Sequence, residues 1–264
     1  MNKVIRAEFG RTINAGLIIA IAGIIFSICF DSFNDLIAGL RNGQGYVGYF
    51  FSNAAFGGMC THYMLPVFTA LPFSVSLCQE RNNKAVSYIV SREGKNRYIF
   101  AKFIVSAISG GFVAVCGTVL LFLMLAMRFP IAGDEFEGAV VSDYFHEGSA
   151  VYYPQLYILT LSILAFCRGV IWSSLALCVS LYTSDFMVVL LSPFLGSYVL
   201  VRIFQIIRVP DMVRPDMILI GQVVIKSSGL TLIIAIAISL TIVTLIGAFF
   251  VGKMKEGLKS GTIY

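Results

Sequence analysis

Long charge-free stretches separated by short charged ones organise this chain. No Asp, Glu, Lys or Arg interrupts Phe103 to Met127, nor Ser227 to Gly252. A hydrocarbon core about 30 Å thick is crossed by roughly 20 apolar residues in a helix, so each stretch predicts a span. Four further stretches read the same way, giving six spans at about 14–32, 58–78, 103–127, 154–182, 186–207 and 227–252. Pro66 and Pro72 fall inside the second, which is therefore expected as a kinked or broken helix; membrane helices tolerate this where neighbours re-satisfy the freed carbonyls.

The segments between the spans differ in kind. In residues 2–13, Ile5, Phe9 and Ile13 recur at a spacing of four while Lys3, Glu8 and Arg11 lie elsewhere on the wheel, predicting an interfacial helix on the membrane surface. A Gly- and aromatic-rich connection follows the first span. Residues 79–102 carry six bases (Arg81, Lys84, Arg92, Lys95, Arg97, Lys102) against two acids, whereas residues 128–153 carry Arg128 against five acids. That acidic loop reads as a solvated segment, or as a vestibule that attracts cations. Residues 208–226 mix proline, charge and apolar residues too closely for a clean span.

Composition turns this pattern into a class. The 264 residues are 58% hydrophobic and 12% charged, with mean hydropathy +0.87, far from the roughly 25% charged residues of a soluble domain. The whole chain reads as one all-α transmembrane domain in a cell membrane. The net charge of +5 sits mainly between apolar runs, so it marks loops facing one side and not a nucleic-acid surface. The N-terminal flank, the second loop and the C-terminal tail hold three, six and three bases, and the first and third loops one each. Alternation then places both termini in the cytoplasm. Arg202, Arg208, Arg214 and Lys226 oppose that rule, because six spans put them outside. The first span is too long for a secretory signal core and no small-residue cleavage pattern follows it, so it is expected to be retained.

Little in the chain reads as catalytic or metal-binding. The phosphate-loop pattern is absent, as are HExxH and GxSxG, and the six cysteines form no CxxC pair, so they read as small hydrophobes. No catalytic residue and no metal is expected. His62 with Ser109 or Ser173 would be the minimal set for an intramembrane serine hydrolase. Arg168 is the sharpest single residue: a mid-membrane charge is expensive, which points to a contact with substrate along a pathway or with a second protomer at a dimer seam. A structural arginine held by backbone carbonyls or a tyrosine hydroxyl reads equally well, and no acid within the expected spans pairs with it. Small residues at a spacing of four, Ser106, Gly110 and Ala114 with Ala107 and Gly111, suit close helix packing within the chain.

Glu80-Arg81, then Ala85-Val86 and Tyr88-Ile89-Val90, then Ser91, and finally Arg97 and Lys102 follow a recognisable order. The chain resembles the permease subunits of ABC type-two exporters, whose loop between spans two and three reads as an acid, a base, a small-residue pair, a short apolar helix, Ser or Thr, an Arg cluster and a Lys opening the third span. It departs from them where Asn82-Asn83-Lys84 stand near the family's Gly-Thr, and where Arg92 replaces a common Pro.

The resemblance implies an interfacial N-terminal helix, six spans, a cytoplasmic coupling helix between spans two and three, and short re-entrant helices before span six. It implies a transport subunit that dimerises with itself or a related permease, with ATP and Mg bound by separate cytoplasmic ABC ATPase subunits and none by this chain. Glu80, Arg81, Lys84, Tyr88, Ser91, Arg92 and Arg97 would then couple to the ATPase. A hydrophobic or amphipathic cargo such as a peptide toxin or bacteriocin suits the 22 Phe and 12 Tyr. The competing reading is a membrane protein without transport, either an intramembrane hydrolase or an immunity or regulatory component.

Overall fold

The computed structural model describes residues 2–42, 47, 58–130, 154–221 and 228–260. The acidic run of the third loop, most of the first connection and Lys226 lie outside the described residues. Every regular element among the described residues is helical: α1 (Asn2–Thr12), α2 (Ala15–Asp31), α3 (Phe33–Asn42), α4 (Met59–Ala70), α5 (Ser76–Asn82), α6 (Val86–Glu93), α7 (Lys95–Ala126), α8 (Pro154–Val179), α9 (Phe186–Ile207), a 3-10 turn (Asp211–Val213), α10 (Pro215–Ile220) and α11 (Ser228–Ser260). The helices α7, α8, α9 and α11 are long and apolar enough to cross a membrane, and α1 and α2, bent by 57° at Ile13-Asn14, add a fifth if counted together. The protein is thus an all-helical, multi-pass membrane protein with four to five such helices.

The stretch expected as a second span is broken. α4 ends at Ala70 and the chain turns through Leu71–Val75 before α5 resumes. Pro72 supplies no N–H and Pro66 removes another ladder bond, so the helix has no means of continuing here. The turn is secured from outside: Ser74 Oγ donates to the Ser173 carbonyl on α8 at 2.9 Å and lies 3.1 Å from Ser106 Oγ on α7.

At the centre is α8, which packs most extensively on α7 and also touches α4, α9, α10 and α11. Its crossing with α7 is set by glycines. A Cβ on Gly169 would stand 2.4 Å from the Gly110 carbonyl oxygen, and one on Gly110 would strike Ser173. The small-residue face of α7, with Ser106, Gly110 and Ala114 buried, is therefore consumed inside the chain. Asp31 at the end of α2 accepts hydrogen bonds from the Cys60 and Thr61 amides at 3.0 and 2.6 Å. Its carboxylate caps the first turn of α4, where the helix dipole favours an anion.

Both ends of the bundle are held differently. At the basic end, Leu77, Val86, Val90, Tyr98, Leu177, Phe250, Met254 and Leu258 form one buried cluster joining α5, α6, α7, α8 and α11. This explains why α11 runs beyond residue 252 to Ser260: its last turns cover α6 and α7. At the opposite end, residues 208–221 fold as a compact cap. Arg208 and Gly221 adopt left-handed conformations, and Arg214 is buried against Asp216, to which Nη2 donates at 2.7 Å, and Asp211 at 3.2 Å. The hydrogen bond to Asp216 holds that guanidinium above the ordinary arginine range. One of the bases at odds with the charge rule is thereby neutralised locally.

Candidate functional site

Helix α6 is short and two-faced. Val86 and Val90 are buried in the cluster at the basic end, while Ser87, Tyr88, Ser91 and Arg92 are exposed, Tyr88 by 77%. Ahead of it, α5 closes in a Schellman turn: the Lys84 amide donates to the Arg81 carbonyl and the Ala85 amide to the Glu80 carbonyl, at 3.0 and 2.8 Å. This geometry puts Lys84 at φ 53°, a position that favours glycine, and leaves its side chain exposed. Gly94, at φ 85°, makes the corner into α7. Lys84, Tyr88, Ser91 and Arg92 thus share one exposed surface around α6, with Arg97 exposed on the first turn of α7.

Glu80 and Arg81 do different work. Arg81 Nη1 donates to the Ser180 and Leu181 carbonyls at 2.9 and 3.2 Å, and Asn82 reaches the Ser184 carbonyl. A cation on the carbonyls just past the C-terminus of α8 complements the helix dipole, so Arg81 ties α5 to the end of the central helix. Glu80 is buried at the middle of a charge cluster. It accepts from Lys102 Nζ at 2.7 Å, from Arg11 Nη1 at 2.5 Å and from the Tyr98 hydroxyl at 2.5 Å. Lys102, wholly buried, also donates to Glu8 at 3.0 Å and to Ser76 at 3.2 Å.

Two carboxylates face two cations, and every charged member has at least two partners. Such full pairing is what allows charges to leave water. The cluster joins α1, α5 and α7, so the surface helix, the basic segment and a long span form one unit. Glu8, Tyr98 and Lys102 were not singled out as site residues by sequence. A signal existed in Lys102, a lone cation on the last step before a charge-free span, and in Glu8, the one acid of an amphipathic helix.

Arg168 occupies a second kind of site. It lies in the middle of α8, 8% exposed, and lines a cavity of about 160 Å³ with His62, Trp172, Gly196, Asp216 and Ile242. It has no hydrogen-bond or ion-pair partner among the described residues. Among the described residues, neither a backbone carbonyl nor a tyrosine hydroxyl bonds to it. The hydroxyls of Ser109 and Ser173 donate to carbonyls of their own helices, those of Ser106 and Val170, and His62 bonds to neither. All six cysteines are free thiols.

No family model, curated protein or solved structure matches this chain.

Proposed function

We propose that this chain is the transmembrane subunit of an ATP-driven ABC exporter, working as a dimer with separate cytoplasmic ATPase subunits. The broken α4–α5 unit serves as the second of six spans, α1 lies on the cytoplasmic face, and α10 is the short helix set before the last span. The observation that carries this reading is the mounting of α6. A helix with a polar, cationic outer face is bolted by Val86 and Val90 to the ends of α7, α8 and α11, and through Glu80 and Lys102 to α1.

A helix so mounted is a lever. Force applied to Lys84, Tyr88, Ser91 and Arg92 has no slack to take up before it reaches the spans, because the contacts beneath are buried and paired. On this reading Glu80 and Arg81 transmit within the subunit, and the exposed residues together with Arg97 meet the ATPase. The cargo is hydrophobic or amphipathic, a peptide toxin or bacteriocin being the leading case.

Affinity capture of the full chain from its native membrane tests this. Wild type should bring down a phosphate-loop ATPase, and the double substitution K84E/R92E should lose it while keeping the same elution volume. Recovery of no ATPase with wild type, or equal recovery with the variant, contradicts the reading.

A further inference from the structure

Three cations are buried among the described residues: Lys102, Arg214 and Arg168. Lys102 is matched by Glu8 and Glu80, and Arg214 by Asp211 and Asp216. Arg168 alone of the three has no such match, although burial without a partner is costly in apolar surroundings. The acid on its cavity wall, Asp216, is already committed, since both of its oxygens accept from Arg214, at 3.3 and 2.7 Å. A second polar group is in the same condition. Thr61 Oγ1, buried and without a hydrogen-bond partner among the described residues, lines with Arg168 a smaller adjoining cavity of about 20 Å³.

We infer that the cavity around Arg168 is a binding site for an amphipathic carboxylate whose apolar part is about the size of six carbons. Charge balance selects a monoanion: one cation unpaired among the described residues faces the cavity, and a dianion would place excess negative charge beside Asp216. A carboxylate offers a guanidinium two parallel acceptors, and the Thr61 hydroxyl is a further donor. Apart from His62, Ser197 and Asp216 the remaining wall is apolar, with Ile171, Trp172, Leu200, Leu219 and Ile242. About 160 Å³ compares with the roughly 150 Å³ cavity known to take benzene. The ligand is a free apolar acid or the C-terminal residue of an apolar peptide. The site lies within one chain and away from α6, so the inference stands whether or not the chain couples to an ATPase.

Trp172 is the only tryptophan in the sequence and lines this cavity, so its fluorescence reports occupancy directly. The purified full chain in lipid nanodiscs, at constant ionic strength, is titrated with hexanoate and with N-acetylleucine. At least one should shift Trp172 emission saturably, and acetate should bind roughly tenfold or more weakly for lack of buried methylenes. Hexanol, hexylammonium and N-acetylleucine amide should give no saturable shift. Response to hexanoate alone identifies a free acid; response to N-acetylleucine admits a peptide terminus.

R168Q should abolish the shift and R168K should retain a weaker one. G196V provides an arm that leaves Arg168 in place: a Cβ at Gly196 already stands 3.3 Å from the Trp172 ring, so the larger side chain fills the cavity and should also abolish the shift. If R168Q does not fold, G196V decides. No saturable shift with either acid, an equal shift with chloride, or a response that survives in R168Q and G196V overturns the inference.

Discussion

The basic end and the bundle interior each bury a cation, Lys102 and Arg168, and treat it in opposite ways. At the basic end, Lys102 and Arg11 face Glu8 and Glu80, with Tyr98 and Ser76 satisfying remaining oxygens and protons. Within the bundle, Arg168 has apolar neighbours, a histidine and an acid committed elsewhere. The first arrangement is closed and can only hold helices together. In the second, the cation has no hydrogen-bond or ion-pair partner among the described residues and faces a cavity. Pairing thus separates a charge that builds the protein from one available to a ligand, a distinction that burial alone does not make.

Removing one member of the closed cluster should produce the largest effect. Lys102→Met leaves Glu8 and Glu80 buried with only the half-exposed Arg11, and should cost about 3 to 5 kcal/mol, seen as loss of a monodisperse peak after mild heating. Adding Glu80→Gln in the same chain should return much of that loss; an equally unstable double variant would mean the ionic pairing is not what holds the cluster. Gly169→Ala comes next, because its Cβ would meet the Gly110 carbonyl oxygen at 2.4 Å. It should destabilise by about 1 to 3 kcal/mol, read as a lowered apparent Tm.

Arg168→Leu sharpens the contrast from the other side. Removing an unpaired buried charge should leave stability unchanged or raise it by about 1 kcal/mol, while ending the Trp172 response to carboxylates. A large loss of folded protein would place Arg168 with Lys102 as a structural group. The smallest effect is expected at Lys84, held in a left-handed conformation. Lys84→Gly should relieve that strain for a gain of about 0.5 kcal/mol and at the same time weaken capture of the ATPase, separating fold from function at one position.

Much of the fold was legible because it follows from runs of apolar residues. The bounds of α2 and α9 fall where the apolar stretches predict, and α6 lies on the short apolar run after Ala85. The proline pair marked where the second stretch breaks, since a missing N–H is a property of sequence. The small-residue face of α7 was visible too, but its partner helix was not, because close approach depends on Gly169 lying opposite Gly110. What the sequence hid most completely was partnership at a distance. Glu8 and Lys102 are 94 residues apart, with α2 to α6 between them, and the exposed-looking bases of residues 79–102 divide into buried Lys102, inward-bonded Arg81 and exposed Lys84 and Arg92 only once the helices are packed. Arg168 stood out as a lone charge. That its cavity also gathers His62 from α4 and Asp216 from α10 required the fold.

The central claim is that the outer face of α6 is gripped by an energy-supplying subunit. A photo-crosslinking phenylalanine analogue placed at Tyr88 in the native cell tests it most directly, with the same analogue at Phe112, exposed midway along α7, as the reference. The account predicts an adduct with a phosphate-loop ATPase from position 88 and none from position 112. The absence of any such adduct from position 88, in a chain correctly inserted and folded, would contradict it.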